Sequence, residues 1–255
     1  RFLPFDRYPL VDPPVDPELE FPRLIELTGG AARTDPRGAY YLFPDSGTVV
    51  VSDSWKDGYF RIPISPGRAV WANGEKVRDV GESFVDRDVV VYRADVTNRG
   101  KWIEISLLMD RKVLYRFWEV YGQHRIFMEL FGVVSHIDMV AYRSQTNPVR
   151  EIRWNQLADG VLQLVIDLDE PCWGYKVEWV DRRMIIKIKK PPSKKRLKDI
   201  VVALDPGHGG DDIGARGPTG LAEKDINLKT TLELADLLRR KGSGGVLTRN
   251  DDRQV

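Results

Sequence analysis

The chain has 255 residues, 42% hydrophobic and 30% charged, an ordinary globular balance with enough length for one large domain or two modest ones. Thirty-nine Lys and Arg against 38 Asp and Glu leave a formal net charge of +1, which argues against a surface built throughout as a nucleic-acid footprint. Cys172 is the one cysteine, so an internal disulfide and a cysteine-rich zinc site are both excluded. No apolar run approaches the roughly 20 residues that a membrane-spanning helix needs. The sequence starts at Arg1 with no initiator Met and no signal-peptide core, which reads as a processed or trimmed form.

Residues 1–39 read as a proline-rich arm or linker. "RFLPFDRYPLVDPPVDPE" holds five prolines and shows neither a helical nor a strand period. Its Phe2, Phe5 and Tyr8 are candidates for docking on a neighbouring surface, against the plainer reading of a partly ordered tail. From about Tyr40 to Ile188 the signals are β. "GTVVVSD", "GYFRIPI", "DRDVVVYRADV" and "KWIEISLLMD" are short runs rich in Val, Ile and aromatics, the last two joined by the turn-like "TNRG". The stretch from Lys112 to Arg143 is compatible with strands or with part helix, because period alone does not separate them. Then the alternation sharpens. Ile152 and Trp154 share a face, as do Leu162, Leu164, Ile166 and Leu168, and Met184, Ile186 and Ile188, with Lys187 and Lys189 opposite. "WVDRRM" reads as a tight hairpin. The expected fold is a mainly β N-terminal region of sandwich-like modules, residues 40–110 and 111–190, followed by the first β-loop-α unit of an incomplete α/β domain.

Between Lys189 and Lys198 stand two prolines and six basic residues, and residues 191–199 are assigned to a basic linker. A solvated hinge is the plainer reading; contact with an anionic polymer is the sharper one. Residues 200–255 change character. "DIVVALD" is a short apolar run suited to a strand buried on both faces of a parallel sheet. "GHGGDDIGARGPTG" is a Gly-rich loop. "EKDINLKTTLELADLLRRKG" has Ile226, Leu228, Leu232, Ala235 and Leu238 at three- and four-residue steps, acids at its start, bases at its end and Gly242 as a stop, which predicts an amphipathic helix. "GVLTRNDD" opens a second strand.

A Gly-rich loop between strand and helix often cradles phosphate. Here no Lys-Ser or Lys-Thr pair follows, the dinucleotide fingerprint has Asp212 where its third glycine belongs, and Asp211 and Asp212 repel an anion. A metal fits better. His208 sits past the C-terminal end of an apolar strand, between glycines, and Glu223 opens the next helix. An imidazole and a carboxylate suit zinc, but a catalytic zinc takes three protein ligands, so on spacing alone a turn histidine and a helix-start glutamate are the preferred reading.

The longer pattern goes further. "VVALDPGHGGDDIGARGPTGLAEKDINL", then "LADLLRRKG", then "VLTRNDDR", resembles the start of the zinc-dependent N-acetylmuramoyl-L-alanine amidases of bacterial cell walls, over about Ile200–Val255. The preceding β region is similar in pattern and position to the wall-binding AMIN modules that precede such domains. The resemblance implies that the protein cleaves the amide between N-acetylmuramic acid and the L-alanine of the stem peptide, with Zn2+ as cofactor, peptidoglycan as partner and the bacterial envelope outside the cytoplasm as its location. It implies that His208 and Glu223 are the first two zinc ligands, with the third ligand and the general-base Glu beyond Val255, so that this 255-residue chain is itself inactive. Asp205 is a candidate to orient the loop or His208, against a plain Asp-Pro turn. His124 and His136 match nothing in the family pattern and read as ordinary strand or turn residues. The competing reading is a non-catalytic peptidoglycan-binding β module whose aromatics stack on sugar rings, rather than filling β-sandwich cores.

Overall fold

The computed structural model describes residues 20–81, 88–120, 122–158 and 160–253. The docking expected of Phe2, Phe5 and Tyr8 falls outside them. The described residues form two compact units that divide between Lys190 and Pro191.

In the first unit the earliest strand is β1 (Arg23–Leu27), inside the segment that the sequence assigned to the arm. The prolines that mark the arm end at Pro22, and "RLIEL" then buries Leu24, Ile25 and Leu27. Seven short strands follow: β2 (Ala32–Arg33), β3 (Tyr40–Leu42), β4 (Thr48–Ser52), β5 (Ser54–Lys56), β6 (Tyr59–Ser65), β7 (Arg68–Asn73) and β8 (Val77–Gly81). They form two antiparallel sheets, in the orders β4-β1-β8 and β3-β2-β7-β6-β5. Alternation explains the core between them, since Ile62 and Ile64 of β6 and Val70 and Ala72 of β7 turn inward to meet Ile25 and Leu27.

Ten strands complete the unit: β9 (Val89–Arg99), β10 (Trp102–Met109), β11 (Tyr115–Val120), β12 (Arg125–Phe131), β13 (Val133–Ser135), β14 (Val140–Tyr142), β15 (Val149–Ala158), β16 (Val161–Leu168), β17 (Tyr175–Val180) and β18 (Arg183–Lys189). One sheet runs β13-β9-β10-β18-β17 with β14 also on β9, the other β11-β12-β16-β15. Ile103, Ile105 and Leu107 on one side and Ile126, Met128, Leu164 and Ile166 on the other fill the interior, so the alternation predicted for β16 and β18 is what closes the sandwich. The stretch from Lys112 to Arg143 contributes strands β11 to β14 and no helix. Asp181 and Arg182 make the β17–β18 hairpin turn, as the sequence predicts. The turn placed at "TNRG" is shorter, because Thr97, Asn98 and Arg99 still pair with β10.

The two β modules do not divide at residue 110. Ile105 pairs with Val96 on one side and Ile186 on the other, which ties β10 to the second module. The hydrophobic clusters change over between β8 and β9, although Leu114, Phe131 and Val161 join the first cluster from later in the chain. A strand's alternation shows which face is buried but not which partner it finds some 80 residues on.

The second unit holds β19 (Val201–Leu204), α1 (Glu223–Arg240) and β20 (Gly244–Leu247). β19 and β20 pair in parallel, Val201 with Gly244 and Leu204 with Leu247. Glu223 and Asp225 lie in the first turn of α1 and Arg239 and Arg240 in the last, each sign at the end that the helix dipole favours. The expectation that β19 is buried on both faces is not met, for Val201 is 68% exposed. Of α1 only Ala235 is buried, while Ile226, Leu232, Leu234 and Leu237 are exposed. Two strands and one helix supply too little cover for these side chains.

Candidate functional site

The loop from Asp205 to Ala222 leaves the C-terminal end of β19 and returns at the N-terminus of α1. At its root the Thr248 hydroxyl, just past β20, donates to Asp205 Oδ1, and the Thr248 amide donates to the Leu204 carbonyl at 3.1 Å. His208 follows three residues on. It has φ +65°, a left-handed conformation uncommon for a residue with a side chain, so its surroundings must hold it there.

Two carboxylates flank the ring. His208 Nδ1 lies 3.0 Å from Asp212 Oδ2 and Nε2 lies 3.3 Å from Glu223 Oε2. The Gly209 amide donates to the Asp212 carbonyl at 2.8 Å and the Asp212 amide to that of Gly209 at 3.1 Å, closing the small turn that brings Asp212 back to the ring. Glu223 is fixed in turn, because its Oε2 accepts from the Ala215 amide at 2.9 Å and its own amide donates to the Ala215 carbonyl at 2.9 Å. The hydrogen bond with Asp212, then the charges of Asp212 and Glu223, hold His208 above the ordinary imidazole pKa. The same contact and the Gly214 amide hold Asp212 below the usual carboxylate range.

The back of the loop rests on Arg249, the only charged side chain among the described residues with no exposure at all. Its Nε donates to the Pro206 carbonyl at 2.8 Å and its Nη1 to that of Asp251 at 2.9 Å. Nη2 reaches the carbonyls of Gly207 at 3.3 Å and Lys224 at 3.2 Å. One planar fork thereby ties the loop, the first turn of α1 and the segment after β20 together. Lys224 adds a second tie, donating to the Gly210 carbonyl at 2.9 Å and to Asp252 Oδ2 at 2.6 Å.

The structure thus brings together His208 and Glu223, fifteen residues apart in sequence, and sets Asp205 on Thr248. The contact to His208 Nδ1 belongs to Asp212, at an i,i+4 spacing that the sequence displays and that its reading passed over. Arg249 was also passed over; it stands in "LTRNDD", and an arginine among polar residues carries no sign of burial. His124 occupies a turn with φ +50°, and the His136 ring meets Tyr92 edge-on at 6.4 Å.

The pair suits a zinc ion. With Nδ1–H donated to Asp212, Nε2 is the nitrogen left to offer a lone pair, on the side where Glu223 Oε2 lies. Two ligand atoms each about 2.0–2.2 Å from a tetrahedral zinc stand roughly 3.3–3.5 Å apart, and the observed separation is 3.3 Å. Gly214, at φ +63°, leaves the flank of the pair open, since a Cβ there would come within 2.7 Å of both Glu223 Oε2 and His208 Cδ2. Among the described residues no group of three or more His, Cys, Asp or Glu side chains is placed to hold a metal.

Comparison with known proteins gives the same segment a family. Residues 202–255 match the model of the N-acetylmuramoyl-L-alanine amidases. A probable cell wall amidase LytH of Staphylococcus saprophyticus is 43% identical over 84 residues, 32% of this chain and 28% of that protein. The N-acetylmuramoyl-L-alanine amidases AmiC and AmiA of Escherichia coli are 42% and 44% identical over 64 and 63 residues, each 25% of this chain but 15% and 22% of those proteins. The chain therefore spans less than a third of the length of these curated relatives. Within that span, residues 202–255 are similar to a portion of the N-acetylmuramoyl-L-alanine amidases, cell wall amidases among them.

Proposed function

We propose that this chain is part of a zinc-dependent peptidoglycan amidase that hydrolyses the amide between N-acetylmuramic acid and the L-alanine of the stem peptide, working outside the cytoplasm. The observation that carries the reading is the 3.3 Å approach of His208 Nε2 to Glu223 Oε2 inside the segment that matches the amidase family. Bound between these atoms, zinc would supply Lewis acidity and a water of pKa near about 7.

The chain's own residues do the holding. Asp212 keeps the proton on His208 Nδ1, so that Nε2 stays available. The Ala215 amide fixes the Glu223 carboxylate at the start of α1. Arg249 holds the carbonyls of Pro206 and Gly207, which sets where the loop leaves β19. The remaining protein ligand and the general base are assigned to amidase sequence outside the described residues, and by themselves residues 1–255 are inactive. The exposed Val201, Val246, Leu234 and Leu237 are the surface that the rest of such a domain covers. No helix among the described residues is long and apolar enough to cross a membrane. The N-terminal β unit is assigned to wall attachment, in the manner of an AMIN module.

Product analysis tests this. Purified sacculi treated with the protein carrying its whole amidase domain are expected to release stem peptides with a free L-alanine amino terminus, identified by mass spectrometry. New reducing sugar ends, or cleavage confined to cross-links between peptides, would contradict the reading.

A further inference from the structure

In the first unit, arginines are mostly neutralised. Arg23 pairs with Asp79, Arg61 with Asp53, Arg78 with Glu26, Arg125 and Arg153 with Asp167, and Arg182 with Asp110. Arg68 and Arg116 depart from this. Both donate to the hydroxyl oxygen of Tyr41, Arg116 at 3.4 Å, and their guanidinium carbons lie 5.7 and 4.6 Å from the centre of its ring. Arg116 also lies 5.0 Å from the Trp118 ring. Among the described residues neither arginine is ion-paired. Arg116 stands opposite Glu129 in the β11–β12 register, yet the two make no ion pair and Glu129 is buried. Two cations meeting on one phenol repel each other.

Tyr41 and Arg68 line a cleft of about 330 Å³ with Thr34, Arg61 and Trp71. That volume falls at the lower end of small-ligand sites. Guanidinium groups recognise carboxylates through paired N–H donors, and aromatic faces give an amphipathic ring an apolar surface to lie on. We propose that this cleft binds a carboxylate-bearing saccharide, with Arg68 of the cleft wall and Arg116, held on the same Tyr41 hydroxyl, taking the carboxylate and Trp71 supporting the ring. The polymer is named by the function proposed above: peptidoglycan, whose sugars carry peptide carboxylates. The cleft lies in the N-terminal unit and is an attachment site, separate from the chemistry at His208.

The test titrates the 255-residue chain with a soluble disaccharide–tetrapeptide, with the same compound methyl-esterified at its carboxyls, and with a neutral chitin tetrasaccharide. The acidic compound is expected to bind. Arg68→Gln, Arg116→Gln and esterification should each weaken binding about tenfold or more, because each removes a charge-assisted contact. Arg68 is exposed, so its variant should melt as the parent does. No binding by the parent chain, equal affinity of both variants, or equal affinity for the esterified or neutral sugar would overturn the proposal. The amidase reading is scored separately by product release. Binding as stated with no stem peptide released from the whole protein removes that reading alone; stem peptide released with unaltered binding by both variants removes this one alone.

Discussion

Arg249 Nε donates to the carbonyl of Pro206 at 2.8 Å, joining the segment after β20 to the loop that carries His208 two residues on. A buried guanidinium with four carbonyl partners makes the loop's geometry depend on a residue whose hydrogen bonds go to the carbonyls beside His208 and Glu223 rather than to their side chains. Arg249→Met should therefore leave the carbonyls of Pro206, Gly207, Lys224 and Asp251 short of a donor and destabilise the second unit by roughly 3 kcal/mol. Arg249→Lys should not restore it, since one ammonium cannot span the fork. Denaturant unfolding monitored in residues 191–255 checks both, and amidase activity should fall with the loop's order.

Gly214→Ala is the sharpest steric test of the site. The position has φ +63°, and the added Cβ meets Glu223 Oε2 and His208 Cδ2 at 2.7 Å. Both side chains have to move apart, and displacement of about 1 Å at a reacting centre costs roughly a hundredfold in rate. Zinc affinity of the whole enzyme should drop in parallel with kcat/KM. An alanine variant of undiminished activity would show that the 3.3 Å approach is not used.

Much of this was readable in the sequence, and the remainder fails for identifiable reasons. The alternation in β16 and β18 and the three-and-four spacing in α1 are local, so each element was found near its true limits. Arg23–Leu27 was missed because six prolines upstream gave the whole segment the look of an arm, while the strand's partners, β4 and β8, lie up to 57 residues away, as Leu24 from Gly81. The module boundary failed for the same cause, a non-local pairing of β10 with β18. At the site, His208 and Glu223 stand out by residue type. The Asp212 contact depends on a turn closed by Gly209, and the burial of Arg249 depends on three separate segments meeting, which no local pattern records.

Asp167 supplies a pH dependence for the β unit. Burial alone would raise its pKa, but hydrogen bonds from Arg125 and Arg153 outweigh this and hold it below the usual carboxylate range. A lowered folded-state pKa gives stability that is present above the unfolded value, about 3.9, and is lost as pH falls through the folded value. Asp167→Asn should thus destabilise the unit by roughly 2–4 kcal/mol at neutral pH. Thermal melts at pH 7 and pH 3 should show the gap between parent and variant narrowing in acid. A gap that stays constant would assign the loss to packing.

The segment from 191 to 199 should separate the two units under protease. Ser193, Lys194 and Arg196 are exposed, whereas β10 and β16 lie in the sandwich interior. Brief trypsin treatment is expected to yield an intact N-terminal fragment ending within 191–199, seen by mass spectrometry. First cuts inside β10 or β16 would show that the sandwich is not the stable unit described.

The most direct test of the account is zinc dependence of peptidoglycan hydrolysis by the protein with its whole amidase domain. Release of stem peptide from labelled sacculi is followed after chelation and after adding zinc back. The account predicts loss of activity on chelation, recovery with zinc, and no recovery in His208→Ala or Glu223→Ala, because removing one of three ligands collapses affinity. Hydrolysis that survives chelation, or that either variant carries out at the parent's rate, would contradict the assignment of His208 and Glu223 as zinc ligands.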